Sequence, residues 1–218
     1  HGADTTAAAP LWNRRINAQT YTTYDSLGTS TLDGRTAPVG SVSIACLSCH
    51  DGTQAMNVVI NAPGSGNYNP NGFTMPGSWS GSNQNNGTLN VPGQISNIGT
   101  DLTNDHPIGI QYAGGGYTTT NITTRAAGVG DPDFVAPQSA VLGNGRVWWV
   151  DTGGTGRQKT DMTLYTRGPG AGGGGYTGQT DPEPFVECAS CHDPHTVNPT
   201  FLRIANTGSA VCLACHIK

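Results

Sequence analysis

The amino-acid sequence predicts a mostly irregular fold, with short helices at three cysteine motifs and a few short β-hairpins. One observation behind this prediction is a shortage of core residues, since Leu, Ile, Val and Phe make up only 37 of the 218 residues. Another is the presence of 32 glycines beside a charged fraction of only 11%. Disordered chains are poor in apolar residues but usually highly charged. We therefore expect a turn-rich chain that takes part of its apolar interior from a bound group.

The short helices are expected where the cysteines lie. Ser41 is placed to cap a helical turn that runs into the first motif, and Gly52 is placed to end it. Pro184 is expected to open a second helix, which Pro194 closes. Ser209 is expected to cap a third helix near the C-terminus.

The strand signal is strongest at residues 146–150, where Val and Trp dominate. A turn sequence follows at 151–154, and residues 160–165 are expected to pair with the first run as a hairpin. The glycine-rich tract at 168–175 is interpreted as a connector, because no Lys-Ser/Thr pair follows it as in a phosphate-binding loop.

The chain is predicted to form a single domain, residues 1–218. Within it we distinguish an N-terminal arm (1–40), a first motif region (41–110), a Gly/Thr-rich insertion with the hairpin (111–180) and a doubled motif (181–218).

All six cysteines lie in three Cys-x-x-Cys-His motifs. The motif residues are Cys46, Cys49 and His50; Cys188, Cys191 and His192; and Cys212, Cys215 and His216. In this pattern the two thiols add to the two vinyl groups of a haem, and the histidine binds the iron from the proximal side. The sequence therefore predicts three haem c groups, and a core built around stacked haems as in multihaem cytochromes c.

Two other uses of six cysteines compete with this interpretation. Three disulfides would suit a secreted chain, and Cys-x-x-Cys pairs also hold zinc. Four-thiolate zinc sites use the pairs two at a time and would leave one pair over. Neither alternative explains why histidine follows the second cysteine each time.

The three histidines outside the motifs equal the number of distal positions to be filled. We expect His106 to bind the first iron. His195 is too close in sequence to His192 to reach the far side of the same iron, so we assign it to the third haem. His1 remains for the second. Methionine is the alternative distal ligand, and the chain has Met56, Met75 and Met162.

Charge and hydropathy exclude several classes of function. A net charge of −4 without a basic run argues against nucleic acid as a partner. No apolar stretch reaches the length of a membrane span. The start at His1, without an initiator Met, is interpreted as a mature terminus left after a secretion signal was cleaved.

Irons with two histidine ligands have no open position, so we expect electron transfer, no catalytic residues and no enzyme activity.

Five segments together resemble the extracellular multihaem c-type cytochromes of metal-reducing bacteria, in particular the filament-forming (nanowire) kind with a doubled CxxCH motif. These segments are residues 46–53, 104–108, 187–195, 201–203 and 212–216.

The resemblance implies a location outside the cell or on its surface, with the periplasm as the alternative. It implies a homopolymer in which His1 ligates a haem of a neighbouring subunit. It also implies redox partner cytochromes or extracellular electron acceptors. A monomeric periplasmic shuttle with three haems and a small haem reductase are the alternative functions.

Overall fold

The structure is a computed structural model that describes five stretches of the chain. They are residues 13–14, 19–61, 67–122, 129–168 and 181–217. The chain divides into two compact units, the first from residues 1–26 and 40–106 and the second from 27–39 and 107–218. His1 and the connector beyond Gly168 lie outside the described residues, and the prediction of a single domain stays a prediction.

The first unit contains the longest described helix, α1 (Ser41–His50). It begins where the sequence predicts, although its N-cap is Gly40. At the other end, the N–H of Asp51 donates to the carbonyl of Leu47 at 2.9 Å. Gly52 then has a φ of +72°, a left-handed conformation that ends the helix.

A two-stranded antiparallel sheet completes the first unit. Strand β1 (Val58–Asn61) pairs with β2 (Tyr68–Thr74), and Val59 and Ile60 of β1 are buried. Gly72 in β2 has a φ of +87°, and a Cβ there would lie 2.4 Å from Val58 Cγ1. Glycine is therefore required at this position by conformation and by space.

The second unit contains a five-stranded antiparallel sheet in the order β3-β7-β6-β5-β4. Its strands are β3 (Ile110–Gln111), β4 (Gln138–Leu142), β5 (Gly145–Val150), β6 (Met162–Arg167) and β7 (Glu183–Val186). The predicted hairpin is confirmed, because β5 pairs with β6 through Trp148↔Leu164 and Trp149↔Thr163.

The prediction of a mostly irregular fold around stacked haems is wrong. The described residues form seven strands in two antiparallel sheets and few helices. The reason is that short β-branched and aromatic runs pair across tight turns, as at Leu142↔Gly145, where two residues connect β4 to β5. A low content of Leu, Ile, Val and Phe is therefore compatible with a chain that forms several short strands.

Side chains form the core of the second unit. The buried cluster consists of Tyr112, Ala113, Tyr117, Trp148, Val150, Met162 and Leu164. Three of its members are Tyr or Trp, which are large side chains that the count of Leu, Ile, Val and Phe leaves out. Met162 is fully buried here, as expected of a methionine that fills a gap in a core.

Pro184 does not open a helix, contrary to the prediction, but lies inside β7. The neighbouring β3 pairs only with Phe185 and Val186, so at Pro184 the strand is paired on one side, with Thr166 of β6. A proline is tolerated in a strand where no neighbour requires its N–H.

The remaining helices are short. The second and third motifs form α2 (Cys188–Cys191) and α3 (Ala210–Cys215). Ser209 lies at the N-cap position of α3 as predicted, but its side chain makes no capping hydrogen bond. Four 3-10 turns occur at Tyr24–Leu27, Tyr112–Gly114, Pro199–Phe201 and Thr207–Ser209. Within the described part of the chain, no helix has the length and apolar character needed to cross a membrane.

Candidate haem attachment sites

The first motif occupies the last turn of α1. Cys46 and Cys49 are three residues apart on this helix, so their side chains lie on the same face about one turn apart. Both are partly exposed, whereas Leu47 and Ser48 between them are buried. The helix therefore leaves its cysteine face partly exposed, while the face with Leu47 and Ser48 is buried.

His50 is oriented by the loop that follows β2. Its ring atom Nδ1 lies 2.9 Å from the carbonyl oxygen of Ser96, which can only accept, so Nδ1 carries the proton and donates it. The carbonyl of His50 in turn accepts from the N–H of Ile98 at 2.8 Å. In this tautomer Nε2 has the lone pair, which is the state required of a histidine that binds iron.

The second motif starts from a buried ion pair. Glu187 caps α2 in a capping box with Ser190, and both residues are buried. Arg167 of β6 lies 2.7 Å from the Glu187 carboxylate, and it also donates to the carbonyl of Pro38 at 3.2 Å. The sheet thereby fixes the N-cap residue of the helix that contains the second motif.

His192 is held in the same way as His50. Its Nδ1 donates to the carbonyl of Thr200 at 2.8 Å, which leaves Nε2 with the lone pair. A main-chain hydrogen bond joins the two ends of the segment 191–203, because the N–H of Arg203 donates to the carbonyl of Cys191 at 2.9 Å. Two of the three proximal histidines thus have a ligand-competent tautomer.

The third motif is anchored by the chain that precedes β4. The N–H of Val135 donates to the carbonyl of Cys215 at 2.9 Å, and the N–H of Ile217 donates to the carbonyl of Asp133 at 2.7 Å. Between these bonds, the Phe134 ring lies 4.3 Å from the His216 ring, centroid to centroid. An aromatic contact therefore orients the third proximal histidine.

The second and third motifs meet the same aromatic core. Cys191 and Cys215 both pack against the cluster around Trp148. Burial raises the pKa of the Cys215 thiol to about 12, and the nearby Cys191 adds to this rise. Burial likewise raises the pKa of Cys191. Apolar surroundings at these sulfurs suit attachment to the apolar vinyl edge of a porphyrin.

His195 lies in a loop that charged side chains hold in place. Its N–H donates to Asp193 Oδ1 at 2.9 Å and lowers the pKa of that carboxyl. Its carbonyl accepts from Lys159 Nζ at 2.7 Å. Arg203 donates to the carbonyl of Ala189 inside the second motif and lies 3.9 Å from Asp193. The ring of His195 is exposed on this ordered loop.

His106 is exposed and belongs to the same unit as the first motif. The segment between Ser96, whose carbonyl orients His50, and His106 includes Leu102, whose N–H donates to the carbonyl of Thr22. His1 lies outside the described residues. The assignment of His1, His106 and His195 as distal ligands stays a prediction.

The positions of the cysteines bear on their alternative uses. None of the six cysteines, all of which lie among the described residues, forms a disulfide. Among the described residues, no group of three or more His, Cys, Asp or Glu side chains is arranged to hold a metal ion. By contrast, the helical cysteine pairs and the oriented histidines fit covalent haem attachment.

Comparison with protein families gives a match at the C-terminal end of the chain. Residues 183–218 match the family model described as "Doubled CXXCH motif". The C-terminal segment is a doubled haem c attachment motif. Its two copies contain Cys188, Cys191 and His192 and then Cys212, Cys215 and His216. This motif is consistent with a c-type cytochrome that transfers electrons. The match does not extend to the first motif, and no curated protein matches the chain.

Sequence reasoning missed the residues that support the motifs. Glu187 and Arg167 had no partner visible in the sequence, because 20 residues separate them. The carbonyl groups that orient His50 and His192 are main-chain atoms and leave no signal in residue type. Only the spacing of Glu187 and Ser190 offered a clue, because it is that of a capping box, although the usual order is Ser or Thr first and Glu or Gln three residues later.

Proposed function

We propose that this protein carries electrons through three covalently bound haem c groups, one on each Cys-x-x-Cys-His motif. The observation that carries the proposal is the contact of Nδ1 in both His50 and His192 with a main-chain carbonyl oxygen, which leaves Nε2 to bind iron. A bound haem supplies one-electron exchange between Fe(III) and Fe(II). The chain contributes the attachment sulfurs, the proximal ligands and the groups that fix ring orientation.

We further propose that the irons are bis-histidine, with His106 on the first, His195 on the third and His1 on the second. Six histidines for six axial positions support this assignment. Without an open position, the irons exchange electrons but do not bind a substrate, so a carrier is favoured over a small haem reductase.

Replacing His195 or His106 with alanine tests this coordination. In either variant, one of three low-spin irons is expected to become high-spin and to bind cyanide or carbon monoxide. Electron paramagnetic resonance and visible spectra of the purified protein measure the change. Met75→Leu is the matched control, and we expect it to leave every iron low-spin. Low-spin spectra in both histidine variants, or a high-spin iron in the control, would contradict the assignment.

The resemblance to filament-forming cytochromes supports a further proposal about assembly. We propose that the chain is the repeating subunit of an extracellular filament, with His1 as a ligand to a haem in the neighbouring subunit. A low net charge of −4 allows copies to pack without strong repulsion. Its partners are then other copies, redox cytochromes and extracellular electron acceptors.

Negative-stain microscopy of the purified protein distinguishes this filament from a monomeric periplasmic shuttle. Long fibres are expected for the unaltered chain. His1→Ala is expected to shorten or abolish the fibres while haem loading stays complete. Compact single particles from the unaltered chain would favour the shuttle, and normal fibres from His1→Ala would remove His1 from the interface.

A further inference from the structure

A buried cation lies against the first motif. Arg14 is only 8% exposed, and its guanidinium donates to Cys49 Sγ and, at 3.2 Å, to the carbonyl of Ala55. The preceding Asn13 exchanges side-chain hydrogen bonds of 2.6 and 2.8 Å with the main chain of Asn61, at the end of β1. The sheet therefore fixes Arg14 beside the sulfur that would carry the haem.

Among the described residues, no carboxylate lies within ion-pair distance of Arg14. The ion pairs that these residues form all belong to the second unit. The acid that follows the proximal histidine, Asp51, is also buried. Its side chain accepts hydrogen bonds from Tyr21 and Thr53, which are neutral groups. The first motif is thus flanked by a cation and an anion, and the hydrogen bonds that each makes with other described residues are to neutral groups.

The second motif is different in this respect. Its cations are paired with carboxylates: Arg167 lies 2.7 Å from Glu187, and Arg203 and Lys159 lie 3.9 and 3.7 Å from Asp193. Opposite charges in contact largely cancel at a distance, whereas separated buried charges act on their surroundings with little screening. The field of an individual side chain is therefore expected to be larger at the first motif than at the second.

We propose that Arg14 and Asp51 set the reduction potential of the first haem in opposite directions. Reduction adds one electron to the iron, so a neighbouring cation stabilises the reduced state and a neighbouring anion destabilises it. Arg14 raises the potential and Asp51 lowers it. The proposal rests on the proposed function, since it requires haem on Cys46 and Cys49.

Potentiometric titration of the haem-loaded full chain tests the two residues. The component that belongs to the first haem is identified by its absence from Cys46→Ser/Cys49→Ser. We expect Arg14→Gln to shift this component to lower potential and Asp51→Asn to shift it to higher potential. Arg14→Lys keeps the charge and is expected to keep most of the potential. Arg157→Gln removes an exposed cation of the second unit, is the control and leaves this component unchanged.

The signs separate an electrostatic role from a structural one. Loss of packing admits water to the haem and lowers the potential whichever residue is changed, so a decrease in Asp51→Asn would overturn the proposal. An unchanged component in Arg14→Gln, or an equal decrease in Arg14→Lys, would also overturn it. If Arg14→Gln does not fold, the sign of the potential shift in Asp51→Asn is by itself the test. Absence of haem from Cys46 and Cys49 in the unaltered protein would refute the proposed function as well, and peptide mass spectrometry detects this first.

Discussion

Replacing Glu187 with glutamine is expected to lower the free energy of unfolding by about 3–5 kcal/mol. The substitution leaves Arg167, which is only 5% exposed, without the carboxylate that lies 2.7 Å from it. A buried charge without its partner cannot recover its lost hydration. Because Glu187 also caps α2, the second haem attachment helix loosens together with the ion pair. Urea unfolding followed by circular dichroism measures the loss.

Two further variants show whether the loss comes from the unpaired charge. Lys159→Gln removes a partner from an ion pair whose lysine is 57% exposed, and we expect a change below about 1 kcal/mol. The double variant Glu187→Leu/Arg167→Met removes both buried charges and is expected to recover much of the stability. A loss below about 1 kcal/mol in Glu187→Gln would mean that the ion pair does not stabilise the second unit.

Replacing Cys188 and Cys191 with serine is expected to remove one haem and leave the others attached. Serine hydroxyls do not add to vinyl groups as thiolates do, and His192 alone makes no covalent bond to the porphyrin. Cys191 packs against the aromatic cluster around Trp148, so the variant also places a hydroxyl group against that core. Intact mass spectrometry under denaturing conditions counts the haems that remain.

The matched variant in the first motif, Cys46→Ser/Cys49→Ser, is expected to lose a different single haem. Leu213→Ala changes an exposed spacer residue of the third motif, which is 50% exposed, and we expect full loading. Retention of all haems in either serine variant would show that the corresponding motif does not attach haem. Loss of haem from Leu213→Ala would show that motif spacing alone is insufficient for attachment.

The chemistry of the site could be predicted from the sequence, because it depends on residue type at short spacing. The pair Cys188 and Cys191 with His192 is such a pattern, and the family match includes it. The hairpin of β5 and β6 was also predictable, since Trp148 and Trp149 lie in a run with strong strand preference.

The sheet as a whole was not predictable in this way. Strand β7 contains Pro184, which argues against a strand unless one side is unpaired, and only the shortness of β3 makes that so. Strand β4 has an exposed surface and lacks the alternation that signals a strand. Long-range partners such as Arg167 for Glu187 depend on that sheet, so they could not be anticipated either.

The most direct test of the account is the number of haems on the unaltered protein. Intact mass spectrometry under denaturing conditions is expected to give the polypeptide mass plus three haems, and peptide mapping is expected to place one on each cysteine pair. The two copies of the doubled motif alone would give two haems. A chain that carries no covalent haem, or whose Cys46 and Cys49 remain free thiols, would contradict the proposal of a three-haem electron carrier.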